Sequence, residues 1–459
     1  MKRFTRILSL LLVLLLLAGC DASAQPEASV EAAGNDRTEE ASEPGRETVQ
    51  QTTTVSDTEP VYETESVPAE TTVPPEPVQV EVMVGQYSKD SIAWWQAFET
   101  QFETENPDVD LVVEVVSWMD LSASAYSLIE QDAKPDILNA TTAICSYALK
   151  SGVLLPADSY LSAETRDRIY PRLLEGYGKD AATWALPLVS IPWAMIYNPE
   201  ILDAAGVTVP TDWEELENAC RTIRSQMPQV LPWGLDYVDE YCFVIYTLNN
   251  GGGFFDDSEE WFLNSDENLE AVQFVQRMTD SGLANKDLMA SDWSALRDLY
   301  AQEEVAMMLM PMHGLDYWEY SDCTVPYEIA PIPANTGCES SSLVNMECFL
   351  CFDNGQSEQE MDAIRRFYDF FYEVQRYMDY VSTENLYPVT VDAAEQMSHS
   401  DPSLARLPEI MASCYALPMM EDAWTDIWWE LKDFMYLVLE EGENPARLLD
   451  ELQYIATGR

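Results

Sequence analysis

Between Trp184 and Tyr197 the chain carries no charged side chain, in a sequence with 81 acidic and 24 basic residues. So apolar a run in so charged a chain must be buried, and it suits a strand, an irregular crossing and a second strand. Pro187 and Pro192 interrupt it. Because each lacks a backbone N–H, neither half reads as a helix interior or a central sheet ladder. Asn198-Pro199 then opens a short helix that stops at Gly206, with Pro210 beyond. From Trp184 to Pro210 the chain reads as a passage from one lobe into another, a hinge beside a ligand cleft.

The rest of the sequence supplies lobes for such a hinge to join. A chain of 459 residues has room for two or three domains, each with its own core. Val78, Val80, Val82 and Val84 alternate as in a strand, and Gly85–Asp90 forms a loop. A helix with Trp94, Phe98 and Phe102 on one face follows, then a strand at 111–116 and another opening at Lys134-Pro135-Asp136. Strand–helix alternation of this kind predicts an α/β fold with ligands at the carboxyl ends of the strands. Further on, Thr211-Asp-Trp-Glu214 reads as a capping box, Ser265 as a cap, Val305–Met310 and Leu343–Phe352 as strands, and 358–380 as one long helix. Trp424–Leu439 and the Asn444-Pro445 cap close the chain.

The termini and charge place the protein. Lys2, Arg3 and Arg6 precede an apolar core from Ile7 to Ala18, too short for a comfortable permanent span. The core ends in Leu17-Ala18-Gly19-Cys20, which resembles the bacterial lipobox and implies cleavage before Cys20 and acylation of its thiol. Residues 21–77, rich in Glu, Thr, Ser and Pro, cannot bury enough apolar surface to fold, and read as an acidic tether spanning on the order of 40 Å as a coil. A formal charge of −57 at pH 7 argues against nucleic acid and anionic membrane surfaces as partners.

Motifs for chemistry are missing. The sequence has no HExxH, GxSxG, GxxxxGK[ST] or strand-linked GxGxxG pattern, and only His313 and His399. Asn249-Asn250-Gly251-Gly252-Gly253 has no following Lys-Ser/Thr and reads as a turn. No cofactor or metal site is expected, and Cys348-Phe-Leu-Cys351 lies in an apolar run that favours buried thiols. The eight cysteines after Cys20 also permit disulfides in an exported protein, with pairing left open. Aromatic residues point instead to binding: 13 Trp and 23 Tyr, with Tyr87, Trp118, Trp193, Tyr241, Trp424 and Trp428 near predicted strand ends or in loops. A ring stacked on a sugar face buries roughly 50–100 Å², worth about 1–2 kcal/mol. Core packing explains any one of these rings as well; the set is more persuasive.

From Val78 onward the chain resembles the extracellular solute-binding proteins of ABC importers, in the sugar-binding, maltose-binding-protein-like branch. The resemblance lies in the VEVMVG strand, FETENPDV, KPDIL with YALKSGVLLPADSYL, ALPLVSIPWAMIYNPEILDAAGV with TDWEEL, NNGGG, the EEVAMMLMPMH strand and ENLYPV, in that order. It implies an α/β, two-lobe fold with hinge crossings, the solute held between lobes that close on it. Expected boundaries are 78–190 plus 340–392 for one lobe and 191–339 plus 393–459 for the other. Carried over position by position, ligand contacts fall on Tyr87, Lys89, Asp90, Trp118, Thr141, Trp193, Asp239, Tyr241, His313, Glu421, Trp424 and Trp428. Ala140, Thr141, Thr142 and Ala143 stand where the family often has an aromatic and a carboxylate, and apolar Ile191 stands where a polar contact is common. Beside Ile191, Trp193 is expected as part of a stacking wall.

These features lead to an expectation of a monomeric, lipid-anchored, non-enzymatic receptor on the extracellular face of a Gram-positive-type cell membrane. It would capture a carbohydrate, an oligosaccharide in particular, and deliver it to ABC transporter permease subunits. Two alternatives stay open: a cationic or amine-bearing solute, and a non-transporting surface sensor on the same fold. A glycan hydrolase would need paired carboxyls across the cleft, and no spacing marks such a pair.

Overall fold

Residues 76–256, 258–286, 292–315, 318 and 323–458 are described by a computed structural model. The export signal, Cys20 and nearly all of the tether lie outside the described residues. Among those residues no helix is long and apolar enough to cross a membrane.

Alternating valines make β1 (Val78–Gln86), whose Val80, Val82 and Val84 are almost fully buried. It pairs in parallel with β2 (Val109–Ser117), Val78 opposite Val109 and Gln86 opposite Ser117, and on its other side with β3 (Ile137–Thr141). Gly178–Lys179 (β4) and Ala182–Thr183 (β5) form a separate two-stranded hairpin. Then comes β6 (Leu186–Tyr197), followed by β7 (Leu231–Gly234), β8 (Val305–Pro311), β9 (Glu328–Ala330), β10 (Ser342–Cys351) and β11 (Cys414–Ala416). Among the described residues the large sheet runs β2-β1-β3-β10-β6-β8-β7, with β11 added on β10 and β9 on β6.

Two strands knit this sheet together. The distal half of β10 lies antiparallel to β3, Phe349 opposite Asn139, and its proximal end takes β11, Ser342 opposite Cys414. Along β6, residues 186–192 pair with β10 and residues 193–197 with β8 and β9. The uncharged run is therefore one continuous strand in the middle of a sheet, where two strands broken at Ile191-Pro192 were expected. Its prolines are tolerated because of where they fall. Pro187 stands at the bulge where the register shifts between Glu347 and Cys348. Pro192 stands where β6 changes partners, and its carbonyl accepts the Met312 N–H at 2.9 Å. A strand centre excludes proline only where the ladder needs that N–H.

Buried side chains form two large clusters. One gathers β1, β3, the first half of β6 and the aromatic helices Ser91–Glu105 and Glu358–Phe371. The other gathers Trp193, Met195 and Tyr197 of β6 with helices Trp213–Gln226, Tyr241–Leu248, Asp266–Asp280 and Trp424–Leu439. Helix Val391–Ser400 and helix Leu407–Ala412 add Ala393, Ala394, Leu407, Ile410 and Met411 to the first cluster.

Two local expectations need correction. The 358–380 segment is two helices, Glu358–Phe371 and Val374–Glu384, because the Glu373 side chain accepts the Gln375 and Arg376 N–H groups and starts a new helix. The cap of Trp213–Gln226 is Asp212, which accepts the Glu215 N–H at 2.8 Å, while Thr211 donates to the Glu215 carboxylate. Either acid could close a box from the sequence, and the one reached from Asp212 wins.

Candidate functional site

The site is built on the middle of β10. Asn345, Met346 and Glu347 form a floor shared by two cavities, of about 240 and 170 Å³. In the larger, Thr141, Thr142 and Ala143 face Glu240, Tyr241 and Trp428 across that floor. In the smaller, Tyr87 and Trp118 stand over Val189, Ile191 and Leu386. The larger cavity shares Ala416 and Leu417 with a third, of about 480 Å³, which reaches Arg172, the Gly251-Gly252 turn and Glu421. A chain of adjoining hollows thus runs along the hinge.

Aromatic faces are fixed on both sides of the floor. Gly85 lets β1 pass beneath Trp118, where a Cβ would stand 3.0 Å from the indole and 3.2 Å from Asn139 Oδ1. Just beyond, Tyr87 stacks on Trp118 with ring centroids 5.1 Å apart and donates its hydroxyl to Asn139 Oδ1 at 2.9 Å. Opposite, Tyr241 leans on Trp193 at 4.7 Å and hydrogen-bonds Asn345. Burial pushes the Tyr241 phenol up to about 12, so it stays a neutral donor. Trp428 donates its indole N–H to Glu240 at 2.7 Å, and Lys432 lies 4.7 Å from its ring centroid while holding Asp239 at 3.3 Å.

Acidic groups give the floor its chemistry. Glu347 lines both cavities, and its Oε2 is closed off from solvent with no hydrogen-bond partner. Burial raises its carboxyl well above the usual range, with the Cys348 thiol a smaller cause. Glu240, 4% exposed, is raised by burial too, opposed by its own backbone N–H and by the Trp428 hydrogen bond.

Of the residues expected at the site, the structure brings together Tyr87 and Trp118 in one cavity and Thr141, Tyr241 and Trp428 in the next. Thr141 also caps helix Thr142–Lys150 through the Ile144 N–H. Asp239 acts one step behind, through Lys432. Trp193 is 1% exposed and backs Tyr241 from within the core. Trp424, 4% exposed, packs edge-on to Phe254 at 5.5 Å. Glu421 lines the third cavity. His313 meets Trp293 edge-on at 5.0 Å, its imidazole lowered by burial, away from these hollows. Lys89 and Asp90 are exposed at the start of helix Ser91–Glu105.

Sequence reasoning missed Glu240, Asn345 and Glu347. One signal was available: Glu347 is the only charge between Leu343 and Phe352, and a lone carboxylate in an apolar strand is either exposed on an edge or functional. The glycine turn is structural, as read: the Asn268 side chain bonds both the N–H and the carbonyl of Gly253 at 2.8 Å. The eight cysteines after Cys20 are all free thiols, six of them buried.

Two buried clusters share the paired strands β6 and β10, and aromatic and acidic side chains gather over β10 at a candidate site, an arrangement in keeping with the class of solute-binding proteins. A family model for bacterial extracellular solute-binding proteins matches residues 87–332, and the chain belongs to that family. It is 22% identical over 383 residues to a candidate binding protein of Brucella abortus (strain 2308), covering 81% of this chain and 91% of the relative. It is 27% identical over 159 residues to the arabinooligosaccharide-binding protein of Bacillus subtilis (strain 168), covering 34% and 36% of the two chains. The fold matches the crystal structure of the cyclic alpha-maltosyl-1,6-maltose binding protein from Arthrobacter globiformis with a TM-score of 0.72 at 19% identity, covering 83% of this chain and 98% of that one. Family and fold are those of substrate-binding proteins, not of enzymes.

Proposed function

We propose that the protein captures an oligosaccharide between its lobes and hands it to an ABC transporter permease, tethered to the outer face of the cell membrane by acylated Cys20. The observation that carries the sugar is the placing of aromatic faces on both sides of one hinge floor, Tyr87–Trp118 and Tyr241–Trp428 about Asn345–Glu347. Flat apolar rings take sugar faces and the acids and amides between them take hydroxyls, the usual division of labour in a ligand site. The adjoining third cavity supports more than one sugar unit. Relatives that bind an arabinooligosaccharide and a cyclic maltosyl-maltose agree with this reading. The lipobox Leu17–Cys20 supports the anchor, and an importer partner is what the family resemblance implies.

A thermal-shift panel of di- to tetrasaccharides tests the sugar, and a rise in melting temperature with at least one linkage series is expected. No shift with any of them would sink the carbohydrate. Cys20→Ala expressed in a Gram-positive host tests the anchor: labelled fatty acid should be incorporated into the wild type and not into the variant, whereas equal labelling of both would contradict lipidation at Cys20.

A further inference from the structure

We infer that the solute carries a basic amino group, received as an ammonium ion between the carboxyl groups of Glu240 and Glu347 beside Tyr241 and Trp428. This rests on the oligosaccharide reading for the remainder of the ligand and narrows it to an amine-bearing sugar.

Glu347 Oε2 is buried without a partner although its side chain lines two cavities. A buried acceptor left unsatisfied is uncommon and costs free energy unless a ligand completes it. Glu240 lines the same cavity, 4% exposed, with one neutral N–H from Trp428 at 2.7 Å. No Lys, Arg or His is among the residues lining that cavity. Lys432 holds Asp239 at 3.3 Å, and the two act on Glu240 with opposite signs. The other groups acting on the two acids are Tyr87, Tyr177, Tyr241, Tyr380 and Cys348, all neutral near pH 7.

A sugar hydroxyl offers one donor and no charge, so it can complete only one of the two carboxyl groups. An ammonium offers three donors and the opposite charge, and it is attracted to an aromatic face such as that of Tyr241. Burial raises the Glu347 carboxyl, so an ammonium that binds there displaces to solvent the proton the carboxyl holds and leaves a carboxylate–ammonium pair. Atoms and charge balance with one proton released.

Matched trisaccharides decide it: β-1,4- and α-1,4-linked glucose trimers against their 2-amino counterparts, with spermidine as a sugar-free amine. Each is titrated by calorimetry at pH 6, where the amino groups are largely protonated before binding, in phosphate and in MES, so that proton release appears as a buffer-dependent heat. The amino trimers should bind at least about tenfold more tightly than the neutral ones with release of a proton, and Glu347→Gln should lose both effects. If Glu347→Gln fails to fold, Glu240→Gln should still lose the preference for the amino trimers, while the proton release, which belongs to Glu347, stays. Neutral trimers binding as tightly with no proton released would overturn the inference and leave the receptor reading intact. Spermidine bound in a Glu347-dependent way with no sugar bound would overturn the sugar and keep the amine site; no binding by any probe would overturn both.

Discussion

Trp428 reaches Glu240 with its indole N–H at 2.7 Å, and four residues on Lys432 sits 4.7 Å from the same ring while holding Asp239. One helix thereby sets an aromatic face and orients a buried acid in a single step. Trp428→Phe keeps the ring and deletes the donor. Losing a hydrogen bond to a buried carboxyl should weaken ligand binding by about 1–2 kcal/mol, roughly five- to thirtyfold, and lower the stability of the free protein by a similar amount. Calorimetry on the two proteins checks it; equal affinities would mean that Glu240 does not depend on Trp428.

Trp193 lies under Tyr241 and is 1% exposed. Trp193→Ala should cost about 3–5 kcal/mol of stability, the range for an aromatic removed from a core. Urea unfolding measures this. A variant as stable as the wild type would place the ring outside the core, and Trp193→Phe should keep the fold and isolate any effect on binding.

Two tyrosine hydroxyls clamp the start of β6. Tyr372 donates to the Pro187 carbonyl at 2.6 Å, and Tyr377 donates to the Leu188 carbonyl at 2.6 Å while accepting the Val389 N–H at 3.0 Å. Tyr377→Phe strands both Leu188 and Val389 in a buried setting. A loss of about 2–3 kcal/mol in chemical denaturation is expected, well above that of a surface Tyr→Phe control such as Tyr454→Phe.

Asp236, 3% exposed, accepts the Val238 and Trp293 N–H groups at 3.3 Å each, yet burial raises its carboxyl to about 7. The native state holds this proton more tightly than the unfolded chain does. Its contribution to stability is therefore fully present below about pH 4 and is lost as pH rises to about 7, a change on the order of 4 kcal/mol. Asp236→Asn should remove that part of the slope. Denaturation curves of both proteins from pH 4 to 8 supply the difference, and parallel slopes would contradict a raised carboxyl.

What the sequence revealed and what it hid follow from the range of the interactions involved. Valine alternation in β1, the Ser265 and Asn444 caps and the Asn198-Pro199 helix start are local, so they were legible. Pro187 and Pro192 misled because their tolerance depends on a bulge opposite Glu347 and a change of strand partner, both set by residues more than a hundred positions away. Among the aromatics that line the cavities, Tyr87, Trp118 and Tyr241 stand at strand or helix ends and so stand out locally, whereas Trp428 lies within helix Trp424–Leu439. Trp193 and Trp424 carry the same local signal and are core residues, since burial by distant helices leaves no mark on neighbouring sequence. Glu347 carried a local signal as the lone charge of an apolar strand, but only the fold shows that it lines two cavities.

The central claim is capture of an oligosaccharide on that floor. The most direct measurement is isothermal titration of the best sugar from the panel into the wild type and into the Trp118→Ala/Tyr241→Ala double variant. The wild type should bind one equivalent, and the variant, folded by circular dichroism, should lose about 2–4 kcal/mol of affinity from two stacking faces. Unchanged affinity in the folded double variant would contradict the account, because the ligand would then lie elsewhere.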